Sequence, residues 1–242
     1  MGLELKQLKI LIIFIFTAIF LSPISMVLSD PIAAGKSALK RGDYSIAFRA
    51  FSPLANEGNA EAQTHLGNLY ERGLGVLEDK KAALIWYEKA GRAGNPQGQH
   101  NTGIFYYEGR GVIQDYPSAY EWFLRATDNE YPPSQYMLGL MYHQGQGVAV
   151  NFERARLWFL KAAKQGYANA QFMYSFMLQA GEGEKSNPPN AMVWALVAEK
   201  NGKKNTVAIT VPASMTMTEL EITAAEKIAN ECFQSNYQNC PE

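Results

Sequence analysis

Histidine and cysteine are scarce here: three of the first and two of the second in 242 residues. His65, His100 and His143 are scattered along the chain. No His/Asp/Glu cluster has ligand spacing, so no metal is expected. Gly-x-Ser-x-Gly, a Cys–His pair and a motif-anchored carboxylate dyad are all missing, which leaves nothing to argue for catalysis or a cofactor. An excess of one charge is lacking too. Twenty-two basic residues against twenty-three acidic ones leave a net charge of −1, without the basic surplus of a nucleic-acid binder. Only 19% of residues are charged while 47% are apolar, a balance that excludes disorder driven by low hydrophobicity. Aromatic residues make up 12%, ample for a core in a chain of one or two domains.

The string Ala33–Ser37, AAGKS, looks like the end of a phosphate-binding loop. Asp30 stands where that loop needs its first glycine, and no apolar strand precedes it, so nucleotide binding is set aside.

Residues 1–29 read as an export signal. Lys6 and Lys9 precede an apolar run from Ile10 to Leu21 broken only by Thr17, followed by a serine-containing stretch. That order is typical of a cleaved secretory leader, with the cut expected after Ser29. The alternative is a retained inner-membrane anchor spanning residues 3–28, against which Ser22, Pro23 and Ser25 count. No cysteine follows the run to accept a lipid. Export to the periplasm or the medium is expected. It fits the pairing of Cys232 with Cys240 in a disulfide, which would stabilise the tail by roughly 2–3 kcal/mol.

The rest of the chain repeats itself with a period of 36. Trp86, Trp122, Trp158 and Trp194 keep this step, as do Gln63, Gln99, Gln135 and Gln171, and the pairs Gly73/Gly75, Gly109/Gly111, Gly145/Gly147 and Gly181/Gly183. Two alanine columns, beginning at Ala83 and Ala90, do the same. Such self-similarity marks a repeat array, here over residues 59–202. Within a copy, Ala62, Leu66, Leu69 and Tyr70 form a helical stripe. The glycine pair ends that helix in left-handed geometry. Asp79, Asp115, Asn151 or Asn187 then caps a second helix. In the second helix small alanines flank the bulky Trp, a spacing expected to seat the indole between repeats. Gly94, Gly166 and Gly202 close it in three copies, with Glu130 in the other.

The pattern A-x-A-Q-x-x-L-G-x-x-Y, G-x-G-V, A-x-x-W-(Y/F)-x-x-A resembles the Sel-1-like repeats, relatives of the tetratricopeptide hairpin. The resemblance implies an all-α, right-handed α-solenoid of tandem hairpins, about twelve helices in all. The fourth copy departs from it at Ser175, Leu178 and Ala195. Residues 30–58 resemble a degenerate capping repeat. Residues 203–242 resemble the closing helix of exported bacterial members, including the Asn-Tyr-x-x-Cys ending. Caps are needed because an end repeat otherwise exposes its stacking face.

One set of columns varies between copies. On the first helices a face away from the core stripe reads Thr64/Asn68/Glu71, then His100/Ile104/Tyr107, Tyr136/Leu140/His143 and Phe172/Phe176/Gln179. It turns from polar to apolar and aromatic. In the resembling family first helices line the concave side, and a contiguous apolar groove usually marks a binding surface. His100, Ile104, Tyr107, Tyr136, Leu140, His143, Phe172 and Phe176 are therefore the candidate partner contacts. The alternative for the two phenylalanines is cover by a tail helix at residues 218–235. The expectation is a monomeric, non-enzymatic, exported adaptor that holds a peptide or protein, with no nucleic-acid partner and membrane contact only through an uncleaved leader. Against it stand a cell-wall or β-lactam hydrolase and a regulator of surface polysaccharide assembly.

Overall fold

A computed structural model describes residues 30–242. The leader segment, residues 1–29, lies outside the described residues, and so does its processing site. Within them the chain forms twelve helices and no strand. They are α1 Pro31–Arg41, α2 Tyr44–Asn56, α3 Ala60–Arg72, α4 Lys80–Arg92, α5 Pro96–Glu108, α6 Tyr116–Thr127, α7 Pro132–Gln144, α8 Phe152–Ala163, α9 Ala168–Ala180, α10 Pro188–Lys200, α11 Val207–Ser214 and α12 Glu219–Gln234. Consecutive helices pack as hairpins and each second helix packs on the next first helix, giving an all-α solenoid.

Local chemistry sets the element ends. Asp79, Asp115, Asn151 and Asn187 accept from the backbone N–H groups of Ala82, Ser118, Arg154 and Asn190 at 2.8–3.1 Å, satisfying donors that a helix start leaves free. At Gly109 (φ 72°) the chain turns left-handed to end α5, and its N–H reaches the carbonyl of Phe105. Gly111 answers to a second demand. A Cβ there would lie 2.8 Å from Cβ of Lys80 and 3.0 Å from its carbonyl carbon. The turn crosses the start of the preceding second helix at backbone contact, which only glycine permits. Each glycine pair thus ends one helix and seats the turn on the repeat before it.

The Gln column links repeats. The side-chain amides of Gln63, Gln99 and Gln171 donate to the carbonyls of Ala55, Gly91 and Ala163, each at 3.0 Å. These carbonyls belong to the last turn of the preceding second helix, so each bond satisfies a buried acceptor at the junction.

The residue that wedges each hairpin is the aromatic after the tryptophan. Tyr87, Phe123 and Phe159 are fully buried and lie against Gly67, Gly103 and Gly139 of their own first helices, where a Cβ would come within 2.5–2.6 Å of the ring. The fourth copy exchanges both partners: Ser175 fills the glycine position and Ala195 the aromatic one, both fully buried. The tryptophans are more varied than the expected buried wedge. Trp194 is fully buried, Trp122 is 9% exposed and packs over Gly91, and Trp86 and Trp158 stay half-buried. The outer three carry a cation on the ring, Lys89, Arg125 and Lys161 at 4.1–4.9 Å.

The helices flanking the four repeats pack on them in the same manner. At the start, Phe51 of α2 packs on Gly35 of α1, so the AAGKS string is helical and its glycine makes room for a ring. At the other end α11 packs on α9 and α10 in the position of a further first helix, and α12 packs on α10. Thr218 and Glu221 form a capping box at the start of α12. A disulfide joins Cys232 to Cys240, whose Cα atoms are 4.6 Å apart.

Candidate functional site

The variable first-helix columns separate into three rows with different environments. The first row is packed between repeats. Thr64 donates to Asn95 at 3.1 Å. His100 lies 5.5 Å from the ring of Phe123 and 5.4 Å from Tyr131, with Nδ1 2.9 Å from the hydroxyl of Ser134. Tyr136 lies 5.7 Å from Phe159 and 5.4 Å from Tyr167. Phe172 has the Lys203 ammonium 5.1 Å above its ring. Each side chain touches the residue 31 positions on, at the mouth of the following repeat. Burial holds the His100 imidazole neutral, with its pKa pushed down to about 4. It also raises the Tyr136 phenol above its ordinary range. His100 and Ser134 do not form a catalytic pair, because the Ser134 hydroxyl is fully buried at the start of α7 and a nucleophile needs access to its substrate.

The third row is a polar ladder between repeats. Arg110 donates to Glu71 at 2.7 Å, Tyr107 to Gln146, and His143 meets Glu182 at 2.8 Å. All three pairs are 39 residues apart. Buried Tyr87 also donates to Glu71 at 2.7 Å, which holds the first rung in place. Tyr107 packs edge-on to Tyr116 at 5.2 Å, and His143 to Phe152 at 5.3 Å.

Between these rows lies the one that remains open. Asn68 donates back to the Thr64 carbonyl at 3.1 Å. In the next copies Ile104 and Leu140 are half-buried, and Phe176 is 37% exposed. These three apolar side chains follow the 36-residue step and form a row along α5, α7 and α9. The tail helix α12 packs on α10 rather than on this row. Of the eight candidate contacts, the structure therefore places His100, Tyr136 and Phe172 in repeat-to-repeat packing and Tyr107 and His143 in the ladder. Ile104 and Leu140 are half-buried against the core, and Phe176 is the one that stays exposed.

The sequence reading missed a second surface. The second helices carry a groove of about 690 Å³ lined by Arg92, Pro117, Ser118, Tyr120, Glu121, Trp122, Arg125 and the Gly147–Val148 turn. The tryptophan column was its signal, but that column was read as core. No group of three or more metal-binding side chains occurs among the described residues.

Comparison with known proteins agrees with this geometry. The Sel1 repeat matches four times without a gap, at residues 60–95, 96–131, 132–167 and 168–203. No curated protein matches the chain. Among solved structures, a protective antigen of uropathogenic Escherichia coli strains displaying an SLR fold superposes with a TM-score of 0.72 at 27% identity, over 83% of this chain and 45% of that one. The chain thus spans less than half the length of that antigen. A Sel1 repeat protein from Oxalobacter formigenes gives a TM-score of 0.70 at 22% identity, over 83% and 84% of the two chains. An immunity protein from Pseudomonas aeruginosa gives 0.52 at 20% identity, over 86% and 84%. The last two likenesses speak for the fold alone. With four contiguous matches over more than half its length, the chain belongs to the Sel1 repeat family.

Proposed function

We propose that this chain, a protein-interaction scaffold like Sel1 repeat proteins in general, is exported and non-enzymatic and holds a peptide or protein segment on its concave first-helix face, with residues 30–58 and 203–242 as terminal caps. The observation that carries the reading is the row of exposed Phe176 and half-buried Ile104 and Leu140, whose inner sides pack on the core and on which the tail helix α12 does not pack as it does on α10. A row of apolar side chains at a fixed step on rigid helices is ready to receive an extended or helical partner, because its own ordering cost is met on folding. The ladder of Glu71–Arg110, Tyr107–Gln146 and His143–Glu182 alongside it gives the groove a polar rim. Export is supported by the disulfide, which persists in an oxidising compartment. No helix among the described residues is long and apolar enough to cross a membrane.

The test compares immobilised protein with a Leu140→Gln/Phe176→Ser variant as bait in extract of the source cells. The expected result is that partners held by the first are lost by the second while both chains keep the same helical circular dichroism at the temperature of the assay. Leu140 and Phe176 are chosen over Tyr107 and Tyr136 because the two tyrosines also pack against aromatic rings of their own hairpins. An identical captured set would refute the concave-face reading. Hydrolysis of a chromogenic lactam or of cell-wall fragments by the pure protein would refute the non-enzymatic one.

A further inference from the structure

The tail of the chain is itself a peptide seated on the solenoid. After α12 it turns back across the second helices. Tyr237 covers Gly166, where a Cβ would lie 2.7 Å from the ring, and its hydroxyl donates to Asn201 at 2.9 Å. The Trp194 indole donates to the Pro241 carbonyl at 2.9 Å, and Asn190 donates to a main-chain oxygen of Glu242 at 3.1 Å. The Glu242 carboxylate pairs with Lys164, and this contact holds its pKa below the usual carboxylate range. Three host positions therefore hold a Pro-Glu segment: a cation, a small polar side chain and an indole N–H.

Two repeats earlier, 72 residues back, the same positions are Arg92, Ser118 and Trp122. All three line the groove of about 690 Å³ across α6, which no segment of the described chain fills. Trp122 is 9% exposed there, whereas Trp194, packed by α9, α12 and the tail, is fully buried. Arg125, 4.9 Å from the Trp122 ring, adds a second cation where the tail-bound copy has Val197. Arg92 pairs with Glu88 at 2.8 Å yet keeps two-thirds of its side chain exposed. Glu121 is the one carboxylate in the lining. The copy between them has Asp128 at the cation position, with Arg154 and Trp158 beside it. A carboxylate there would repel an acidic segment.

We propose that the groove across α6 binds an extended acidic segment of a partner protein, of Pro-Glu type, in the manner in which the chain's own tail fills the equivalent groove on α10. The ligand's carboxylate pairs with Arg92 and Arg125, its preceding carbonyl accepts from the Trp122 indole, and Ser118 bonds its main chain. The site lies on the second helices, away from the Ile104–Leu140–Phe176 row, and does not depend on the reading of that row.

The probe is an acetylated, amidated octapeptide with the sequence of residues 235–242 carrying Cys240→Ser, titrated into ¹⁵N-labelled protein while the four indole N–H signals are followed. The Trp122 signal, assigned through Trp122→Phe, is expected to shift saturably. Those of Trp86 and Trp158 stay in place, and Trp194 stays held by the tethered tail. A Glu242→Gln peptide, or Arg92→Gln in the protein, should weaken binding roughly five- to tenfold, as for loss of a charge-assisted contact near the surface. The Leu140→Gln/Phe176→Ser variant should bind the octapeptide like the wild type even if it fails to capture partners. An unmoved Trp122 signal at millimolar peptide, equal shifts of all the exposed indoles, or equal affinity for the Gln peptide would overturn the proposal. So would concentration-dependent self-association through this groove without peptide, which would make the occupant a second copy's tail.

Discussion

Replacing Gly103 with alanine should destabilise this protein, against the trend of helix propensity. Alanine is favoured over glycine inside a helix by about 1 kcal/mol. Here an added Cβ would lie 2.6, 2.7 and 3.0 Å from Cε1, Cδ1 and Cζ of Phe123. The ring edge would have to retreat by roughly 0.8 Å to reach ordinary van der Waals separation. Phe123 is fully buried, with His100 and Tyr107 against it, so the ring has no free volume to enter. Overpacking costs about 1–3 kcal/mol, and a ring without an escape route belongs at the upper end. The net loss should be about 2 kcal/mol. Phe123→Ala alone should cost about 3–5 kcal/mol through the cavity it leaves. In that background the sign reverses: Gly103→Ala should then stabilise by about 1 kcal/mol, because only propensity remains. Urea unfolding of the four chains, read by circular dichroism and by fluorescence, measures the cycle. The Ser175/Ala195 pair of the fourth repeat is a natural double replacement of the same kind. An equal effect of Gly103→Ala in both backgrounds would refute the wedge.

Two further outcomes follow from the same structure. His100 is held down to about 4 by burial, below the ~6.5 of an exposed imidazole. Its contribution to stability is therefore complete above about pH 6.5 and is lost as pH falls towards 4, because the unfolded chain takes up a proton that the folded site refuses. The loss should be on the order of 3 kcal/mol across that window. His100→Gln should flatten the stability–pH curve there, apart from the slope left by His65, which burial also lowers; an unchanged curve would show that His100 is not held neutral. Glu130 sits at φ 52° where the other copies have Gly94, Gly166 and Gly202 at φ 81–85°. Glu130→Gly should raise stability by about 1 kcal/mol, since left-handed geometry penalises a side chain by about that much. A lower unfolding midpoint in urea would contradict this.

What could be read from the sequence was whatever acts locally. Glycine pairs, cap residues and the alanine–tryptophan step are demands of backbone geometry and helix spacing, and they recur every 36 residues because each hairpin meets them again. The first-helix face was legible as a variable surface. Sequence could not divide it into rows, because whether His100 or Ile104 faces a neighbour depends on how one hairpin is rotated on the next. Two cysteines in a chain expected to be exported suggest the disulfide, without any sign of the path the tail takes.

The amino-acid order alone determined the hairpin, its period and its ends, since these arise within a few residues of chain through hydrogen bonds and allowed dihedrals. Stacking decided the rest: that Tyr87, Phe123 and Phe159 wedge the hairpins while three of the indoles lie further out, that Phe176 is left exposed beside half-buried Ile104 and Leu140, and that Pro241 and Glu242 come to rest on Trp194 and Lys164. Those contacts join residues that only the rotation between repeats and the fold-back of the tail bring together.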